Sequence, residues 1–243
     1  MSNYFSWARV IKYFPKVLEK FPITLNIVVV STLIGLFLGI LIAVVRIKKI
    51  PVLYQFTQIY ISYIRGTPIL VQLFVVYYGM PSLVKSLIGI DVTSWAKIVF
   101  VYIAYGLNQS GFMAEIIRAA IQSVPVGQTE ASYSVGLNEK QTFIRIVLPQ
   151  SVRIALPGLE TMFMSLFRAT ALAYMLGVID IMGKAKSIGV ITFHSLEGYV
   201  DATIIFIITS IILEQVFHII NEKINYGKGR KIKKLKGTRT YEY

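Results

Sequence analysis

Residues 22–45 read PITLNIVVVSTLIGLFLGILIAVV and contain no charged side chain. A helix rises about 1.5 Å per residue, so this stretch is long enough to cross the roughly 30 Å hydrocarbon core of a bilayer. The whole chain has the same character, because 55% of its 243 residues are hydrophobic and only 15% are charged. Soluble domains carry about 25% charged residues. The sequence therefore predicts an all-α integral membrane protein.

Four further apolar stretches follow the first one. A short polar break, Arg65-Gly66-Thr67-Pro68, interrupts the second stretch, where proline predicts a kink because it lacks the helical N–H. We expect five transmembrane helices, at about 22–45, 53–80, 95–114, 154–181 and 199–220.

The ends of the chain are predicted to lie outside this transmembrane domain, which spans 22–222. Residues 1–21 have the pattern of an amphipathic segment at the membrane interface, with Trp7, Tyr13 and Phe14 as anchors. Residues 223–243 form a basic tail that is expected in the cytoplasm.

Lysine and arginine in the connecting loops predict the orientation, since cytoplasmic loops carry an excess of these residues. With the N-terminus outside and the C-terminus inside, 15 of them fall on the inner side and 8 on the outer side. We therefore predict an N-out, C-in protein of the plasma (cytoplasmic) membrane. The loop of residues 115–153 then lies in the cytoplasm.

Several classes of function are disfavoured by composition. The formal net charge of +13 comes from residues that flank apolar spans and crowd into the tail, as anionic lipid favours, so no nucleic-acid partner is expected. There is no cysteine, and two histidines 24 residues apart do not indicate a metal site. No G-x-x-x-x-G-K-[ST] phosphate loop and no H-E-x-x-H pair occurs. We predict no catalytic residue and no cofactor in this chain.

The cytoplasmic loop contains signals for two short helices set at an angle. Pro125 breaks the third span's continuation, and Thr129 is a candidate cap for a new helix. Gly136 suits the left-handed position that ends a helix. Asn138 followed by Gln141 resembles a capping box that begins the second helix. A structured connector that only covers the end of the bundle would also fit this pattern.

The second of these helices is expected to end at Pro149. Glu130 and Ala131 stand a fixed distance before Gly136, and nine residues separate that glycine from Ile146. This spacing resembles the EAA loop of ABC-importer permease subunits, with Ser132 in place of the second alanine. The resemblance implies contact with a cytoplasmic ATPase through Glu130, Ala131, Ser132, Gly136, Ile146, Leu148 and Pro149.

A second motif agrees with the first. Residues 65–72 read RGTPILVQ, which resembles the polar amino acid branch of these permeases (the histidine, glutamate, glutamine, arginine and cystine type). From the residues alone, Arg65 is expected to brace the kink by binding carbonyl groups that Gly66 and Pro68 leave free. Arg65, Gly66, Thr67 and Pro68 are therefore predicted to be structural.

The resemblance extends over 22–222 and implies a type I ABC transmembrane domain. Such a subunit pairs with an identical or related second permease chain and receives an amino acid from an extracytoplasmic binding protein. A separate ATPase dimer holds ATP and Mg²⁺ and drives alternating access. Membrane lipid is the remaining partner that we expect.

Polar groups inside the spans are candidates for the substrate path, because ionisable groups within a membrane are costly and usually functional. Thr161, Ser165 and Arg168 share one stripe of the fourth span. Arg168 could hold a substrate carboxylate, or it could pair with Glu160 or with a carboxylate of a partner subunit. Asn108 and Gln109 in the third span line the path or bridge helices.

The same region departs from the family pattern, and its substrate is left open. Met162, Arg168 and Ala169 stand where relatives commonly show Glu, Lys and Asp or Asn. Residues 177–186 resemble members associated with cystine uptake. Alternatives to amino acid import are a methionine-type or other small-solute ABC permease, a membrane enzyme, and a non-transporting membrane anchor.

Overall fold

The structure, a computed structural model, describes residues 5–225. Within that range every regular element is helical, as the composition predicts. The basic tail lies outside the described residues from residue 226 onward. In chain order the α-helices are α1 Trp7–Leu18, α2 Phe21–Lys48, α3 Leu53–Gly66, α4 Ile69–Phe74, α5 Met80–Ile88, α6 Lys97–Gln122, α7 Val126–Ser134, α8 Glu139–Thr142, α9 Leu148–Ala169, α10 Ile181–Thr192 and α11 Ser195–Asn225.

The packed pair α2 and α6 forms the centre of the bundle. A Cβ atom placed on Gly35 would lie 2.5 Å from the Cβ of Gln109, and one on Gly106 would lie 2.5 Å from Cγ2 of Ile34. Carbon atoms in contact are normally about 3.5–4.0 Å apart, so glycine is needed at both positions. Small residues suit membrane helices, since close backbone packing replaces the hydrophobic force that lipid removes.

The second predicted span is two helices. Helix α3 ends at Gly66, Thr67 is extended with φ −119° and ψ 143°, and α4 begins at Ile69. Pro68 accounts for the break, because the residue before a proline is driven out of the helical region. From α4 the chain continues through a π-helical turn, Val75–Gly79, directly into α5.

The fourth predicted span also has different limits. Helix α8, a π-helical turn at Phe143–Val147 and α9 follow one another without a break. Pro149 was expected to end a helix, but it lies in the first turn of α9, where a missing N–H is tolerated next to the wider π turn. After α9 a 3₁₀ segment, Thr170–Leu176, ends at Gly177, whose φ is +79°.

Helix α10 occupies part of what the sequence predicts as a loop between the last two spans. At 12 residues it is too short to cross a bilayer by itself, and it contains two lysines. The carboxylate of Asp180 caps α10 by accepting a hydrogen bond from the Gly183 amide at 2.8 Å. Helix α11 packs closely on α10, since a Cβ atom on Gly198 would lie 2.8 Å from the carbonyl oxygen of Ala185.

Three stretches of the described chain are long and apolar enough to cross a membrane, namely Phe21–Lys48, Ile69–Ile88 and Ser195–Ile224. The bent pair Glu139–Leu176 and Ile181–Thr192 gives a fourth if it is one broken span, with 45° between its parts. Helix α6 is 26 residues long, but the polar side chains at its centre reduce its hydropathy.

Helix α1 packs on the protein itself. Tyr13 is buried among side chains of α10 and α11, with Phe14 beside it. Nε of Arg9 lies 2.7 Å from Oε1 of Glu197, which is fully buried. Two of the three predicted membrane anchors, Tyr13 and Phe14, therefore contact the protein core, while Trp7 is 64% exposed.

Candidate functional site

The surface helix α7 contains the first half of the EAA pattern. Thr129 was expected to cap this helix, but the helix begins at Val126, directly after Pro125, and Thr129 lies inside it. Proline favours the start of a helix because its fixed φ is helical and the first N–H groups have no helical partner. The new helix therefore begins four residues earlier than the capping pattern indicates.

The end of α7 confirms the position predicted for Gly136, whose φ is +83°. The amide of Leu137 donates to the carbonyl of Ser132 at 3.1 Å, and the amide of Gly136 donates to the carbonyl of Tyr133 at 2.9 Å. This pair of bonds is the Schellman arrangement, which satisfies the last carbonyls of a helix and turns the chain sharply.

The start of α8 confirms the predicted capping box. The Gln141 amide donates to Oδ1 of Asn138 at 2.9 Å, and the Asn138 amide donates to Oε1 of Gln141 at 3.0 Å. The hydroxyl of Ser132 lies 2.8 Å from that of Thr142, and both residues are buried. Ser132, where the family pattern has alanine, therefore ties α7 to α8.

The outward face of α7 is uncovered. Val126, Tyr133 and Val135 are 71%, 48% and 76% exposed. Glu130 and Ala131 are exposed beside them, and no hydrogen bond or ion pair to the Glu130 carboxylate occurs in the described part of the chain. Exposed apolar side chains around a charged group are typical of a protein-binding surface.

The second half of the EAA pattern lies where α8 continues into α9. Leu148 is 38% exposed and Pro149 is also exposed, whereas Ile146 is half-buried. The carbonyl of Ile146 accepts a hydrogen bond from the side-chain amide of Gln150 at 2.9 Å. No break in the helical path separates α8 from α9.

An ion-pair group stabilises the ends of α2 and α6 next to α7. Glu115 lies between Arg46 of α2, with which it is ion-paired, and Arg118, whose Nη2 is 2.9 Å from Oε2 of Glu115. Nη1 of Arg118 also donates to Gln122 at 2.5 Å. The sequence predicts Glu115 and Arg118 in the loop of residues 115–153, but α6 extends to Gln122 and holds both on a helix.

The break between α3 and α4 is bridged by Gln72. Its side-chain amide donates to the carbonyl of Ile64 at 3.0 Å and to the hydroxyl and carbonyl of Thr67 at 2.8 and 3.2 Å. Its Oε1 accepts a hydrogen bond from Asn108 of α6 at 3.0 Å. Arg65, predicted as the brace, is exposed, so Gln72 performs that role.

The other residues of the predicted kink differ in their surroundings. A Cβ atom on Gly66 would meet nothing within 4 Å, so this glycine is not required by packing. The hydroxyl of Thr67 donates to the carbonyl of Tyr63 at 2.8 Å. Pro68 adopts φ −62° and ψ 138° and precedes the first residue of α4.

A polar cavity of about 260 Å³ opens beside this break. Three of the predicted path residues, Asn108, Gln109 and Ser165, line it together with Arg65 and Thr67. Gln109 is 2% exposed, and its Oε1 has no hydrogen-bond partner. A buried amide oxygen without a partner is costly, so it is available to a group that enters the cavity.

The remaining path residues lie elsewhere. Arg168 lines a separate groove of about 340 Å³ between α9 and α11, which Glu214 also lines. Glu160 accepts a hydrogen bond from Asn221 at 2.7 Å, so the pairing considered for Arg168 and Glu160 is not formed. Nε of Arg168 instead donates to a carbonyl within α9 at 3.2 Å. Thr161 is exposed and donates to the carbonyl of Pro157 at 2.9 Å.

Several of these contacts were not predicted from the sequence. Gln72 is hydrogen-bonded to Asn108, and Asn221 is hydrogen-bonded to Glu160. Glu214 lines the same groove as Arg168. In each pair the two residues lie on different helices. Only Gln72 had a sequence signal, because it closes the RGTPILVQ motif. The partners of the other two depend on how α11 packs against α9.

Residues 35–226 match the protein family described as the inner membrane component of binding-protein-dependent transport systems. The chain belongs to this family. The resemblance predicted from the EAA spacing is thereby confirmed, and the protein is an inner membrane component of a transport system, in agreement with its apolar helices.

Relatives of this inner membrane component share most of its length. The L-cystine transport system permease protein TcyL of Bacillus subtilis is 38% identical over 95% of this chain and 96% of its own. The probable amino-acid ABC transporter permease protein PatM of Vibrio harveyi is 37% identical over 87% of this chain and 93% of its own.

Solved structures agree with this family membership. An amino acid ABC transporter crystallised with histidines covers 90% of this inner membrane component and 99% of its own chain, at a TM-score of 0.80 and 26% identity. A chain of the inward-facing MetNI methionine transporter covers 83% of the chain and 92% of its own, with a TM-score of 0.65 and 16% identity. The latter likeness shows a shared fold only.

Proposed function

We propose that this chain is the transmembrane permease subunit of an ATP-driven ABC importer for amino acids. Relatives whose alignments cover at least 90% of this chain are named for transport of L-cystine and of arginine. The observation that carries the proposal is the uncovered face of α7, where Glu130 and Ala131 are exposed on a helix whose C-terminal end is closed by the turn at Gly136. A membrane anchor without transport would not need this surface.

The proposed topology has five spans, with the N-terminus outside and the C-terminus inside. In this topology α3, α4 and α5 form one broken span and the segment from α7 to α8 lies in the cytoplasm. The chain contains no cysteine, so single cysteines can report the topology without background. Ser134 in α7 and Ser94 before α6 are both exposed and suit this test.

We expect S94C to react in intact cells with a maleimide that cannot cross the membrane, and S134C to react only after permeabilisation. Reaction of S134C in intact cells would contradict the orientation. If neither cysteine reacted under any condition, labelling of unfolded protein would show whether the thiols are chemically competent.

The proposed partners at α7 are the two subunits of a cytoplasmic ATPase, which hold ATP and Mg²⁺. Val126 and Val135 would fill a groove of the partner, and Glu130 would meet a basic residue there, as amphipathic helices do in apolar grooves. ATPase closure would then move α7, and the unbroken helix from α8 through α9 would carry the movement into the membrane as a rigid-body rotation.

The docking surface can be tested by co-purification of the untagged ATPase with the tagged permease. E130K places like charges against a basic groove, so we expect it to lose the ATPase and amino acid uptake together. The control is E222K, which alters an exposed glutamate near the end of α11. Retention of both ATPase and uptake by E130K would refute docking through α7.

The proposed substrate path passes the polar cavity beside the break between α3 and α4. An amino acid needs hydrogen-bond donors and acceptors to replace its water, and Asn108, Gln109, Ser165 and Thr67 supply both. Alternating access would open this cavity first to an extracytoplasmic binding protein and then to the cytoplasm. A second permease chain, identical or related, would complete the path.

The path is tested by uptake into proteoliposomes that contain permease, ATPase and binding protein. Cystine is the first amino acid to try, because two relatives are named for its transport. S165F should fill the cavity and reduce uptake at least about tenfold while the ATPase remains bound. T203F, at an exposed position of α11, is the matched control. Wild-type uptake by S165F would exclude this cavity from the path.

A further inference from the structure

Two cavities join to form a groove between α2 and α9 on the outer face of the bundle. The first, of about 410 Å³, is lined by apolar side chains of α2, α6 and α9, with Ser151 as the polar exception. The second, of about 600 Å³, lies between the end of α2 and the helices α7 and α8. Val44, Ile121 and Phe143 line both cavities, so the two cavities adjoin.

The two ends of this groove differ in chemistry. Its apolar end lies along spans that cross the hydrocarbon core, where Ile40, Val44 and Val152 are 45%, 42% and 47% exposed. Its other end adds charged and hydroxyl groups to an apolar lining and lies beside the helices of the EAA loop. Two lysines and one glutamate line that end, with two threonines and a tyrosine, as follows: Lys48, Lys140, Glu139, Thr129, Thr142 and Tyr133.

We propose that the groove binds one anionic phospholipid. An acyl chain would fill the apolar cavity, and the phosphate would lie between Lys48 and Lys140. Anionic headgroups bind basic pockets between transmembrane helices at the cytoplasmic side of a membrane. The cytoplasmic position of this pocket rests on the proposed orientation; the apolar groove and its charges do not.

Other occupants fit the charges less well. The chain's own tail has eight lysines and arginines between Lys223 and Arg239 and would be repelled by the two lysines of the groove. A second copy of this chain would present the same net positive pocket at a symmetric contact. An anionic lipid complements the positive end and the apolar end at once.

The bound lipid would influence the EAA helices directly. Lys140 belongs to α8, whereas Lys48 belongs to α2, so a phosphate between these two lysines would connect the EAA helices to the membrane helices. Anionic lipid should therefore hold α8, and α7 bonded to it, in their packed position. This effect concerns the permease chain itself and does not depend on which solute is transported.

The test uses the assembled transporter in nanodiscs that contain a trace of lipid with a photoreactive diazirine on its acyl chain. Matched discs contain either photoreactive phosphatidylglycerol or photoreactive phosphatidylcholine, and mass spectrometry locates the adducts. We expect phosphatidylglycerol to label peptides that contain Val44, Phe143 or Val152 at least about fivefold more than phosphatidylcholine does. That ratio is roughly what one lysine contributes near an anionic lipid.

The double variant K48Q/K140Q should reduce labelling by phosphatidylglycerol to the level of phosphatidylcholine. The control, K12Q/K16Q, removes two exposed lysines of α1 and should leave the ratio unchanged. Equal labelling by both lipids in the wild type would overturn the proposal, and so would crosslinking of the groove to a protein chain. Since labelling needs no transport, failure of amino acid uptake would refute the proposed function without altering this result.

Discussion

The side-chain amide of Gln72 donates a hydrogen bond of 2.8 Å to the hydroxyl of Thr67, across the break between α3 and α4. The same amide group reaches the carbonyls of Thr67 and Ile64. Pro68 leaves these carbonyls without helical donors, so one buried side chain compensates for the proline. The break in the second span is therefore held in a defined conformation by hydrogen bonds.

Removal of this amide should destabilise the protein substantially. Q72L keeps the size of the side chain but leaves buried carbonyls without donors, which typically costs about 1–3 kcal/mol for each group. We expect a clearly lower midpoint of thermal unfolding for Q72L in detergent. R65Q, at the exposed position first predicted as the brace, should change that midpoint little. Equal losses in both variants would show that Gln72 is not the specific support.

The hydroxyl pair Ser132 and Thr142 should behave as a coupled unit. S132A removes one partner and leaves the buried Thr142 hydroxyl poorly satisfied, so we expect a loss of about 1 kcal/mol in stability. The double variant S132A/T142V replaces both partners and should recover most of that loss. A double-mutant cycle on thermal stability measures the coupling. Additive losses would indicate that the hydrogen bond contributes nothing specific.

Any side chain at Gly136 should reduce stability because of the backbone conformation alone. Its φ of +83° is unfavourable for alanine, although a Cβ atom would meet nothing within 4 Å. We expect G136A to cost about 1 kcal/mol and to weaken ATP-dependent uptake by misplacing α8. Gly127 in α7 also has open space around it but no positive φ. G127A should therefore be neutral or slightly stabilising, and a similar loss in both variants would contradict this explanation.

Gly35 should be intolerant for a different reason, namely contact between helices. In G35A the new Cβ would lie 2.5 Å from the Cβ of Gln109 and 3.2 Å from the carbonyl oxygen of Gly106. Because these atoms belong to or adjoin backbone, α2 and α6 must separate. We expect a loss of about 1–3 kcal/mol, as for other overpacked sites. G79A, where nothing lies within 4 Å, is the control, and unchanged stability of G35A would refute the close approach.

Much of the fold could be predicted because it depends on local chemistry. The apolar length of α2 is a property of one continuous segment. The left-handed conformation of Gly136 and the capping box of Asn138 and Gln141 are each determined within a few residues. The EAA spacing likewise predicted the family, which the match over residues 35–226 confirms.

The errors concern residues whose roles depend on distant neighbours. Pro149 was expected to end a helix, but a preceding π turn lets the helix continue. Arg65 was expected to bind the free carbonyls, whereas Gln72 reaches them from the opposite side of the break. Proline tends to end helices and arginine tends to bind free carbonyl groups. At these two positions the packing around the residue prevented that usual role.

The sequence by itself determined that this protein is a helical membrane component with an EAA loop, because hydrophobic length, caps and motif spacing are local properties. Only the tertiary structure decided which polar residues share a cavity. Asn108, Gln109 and Ser165 meet in one cavity, while Arg168 lies in another groove with Glu214. These groupings follow from the crossing and rotation of packed helices, which depend on contacts such as Gly35 against Gln109 that no single segment contains.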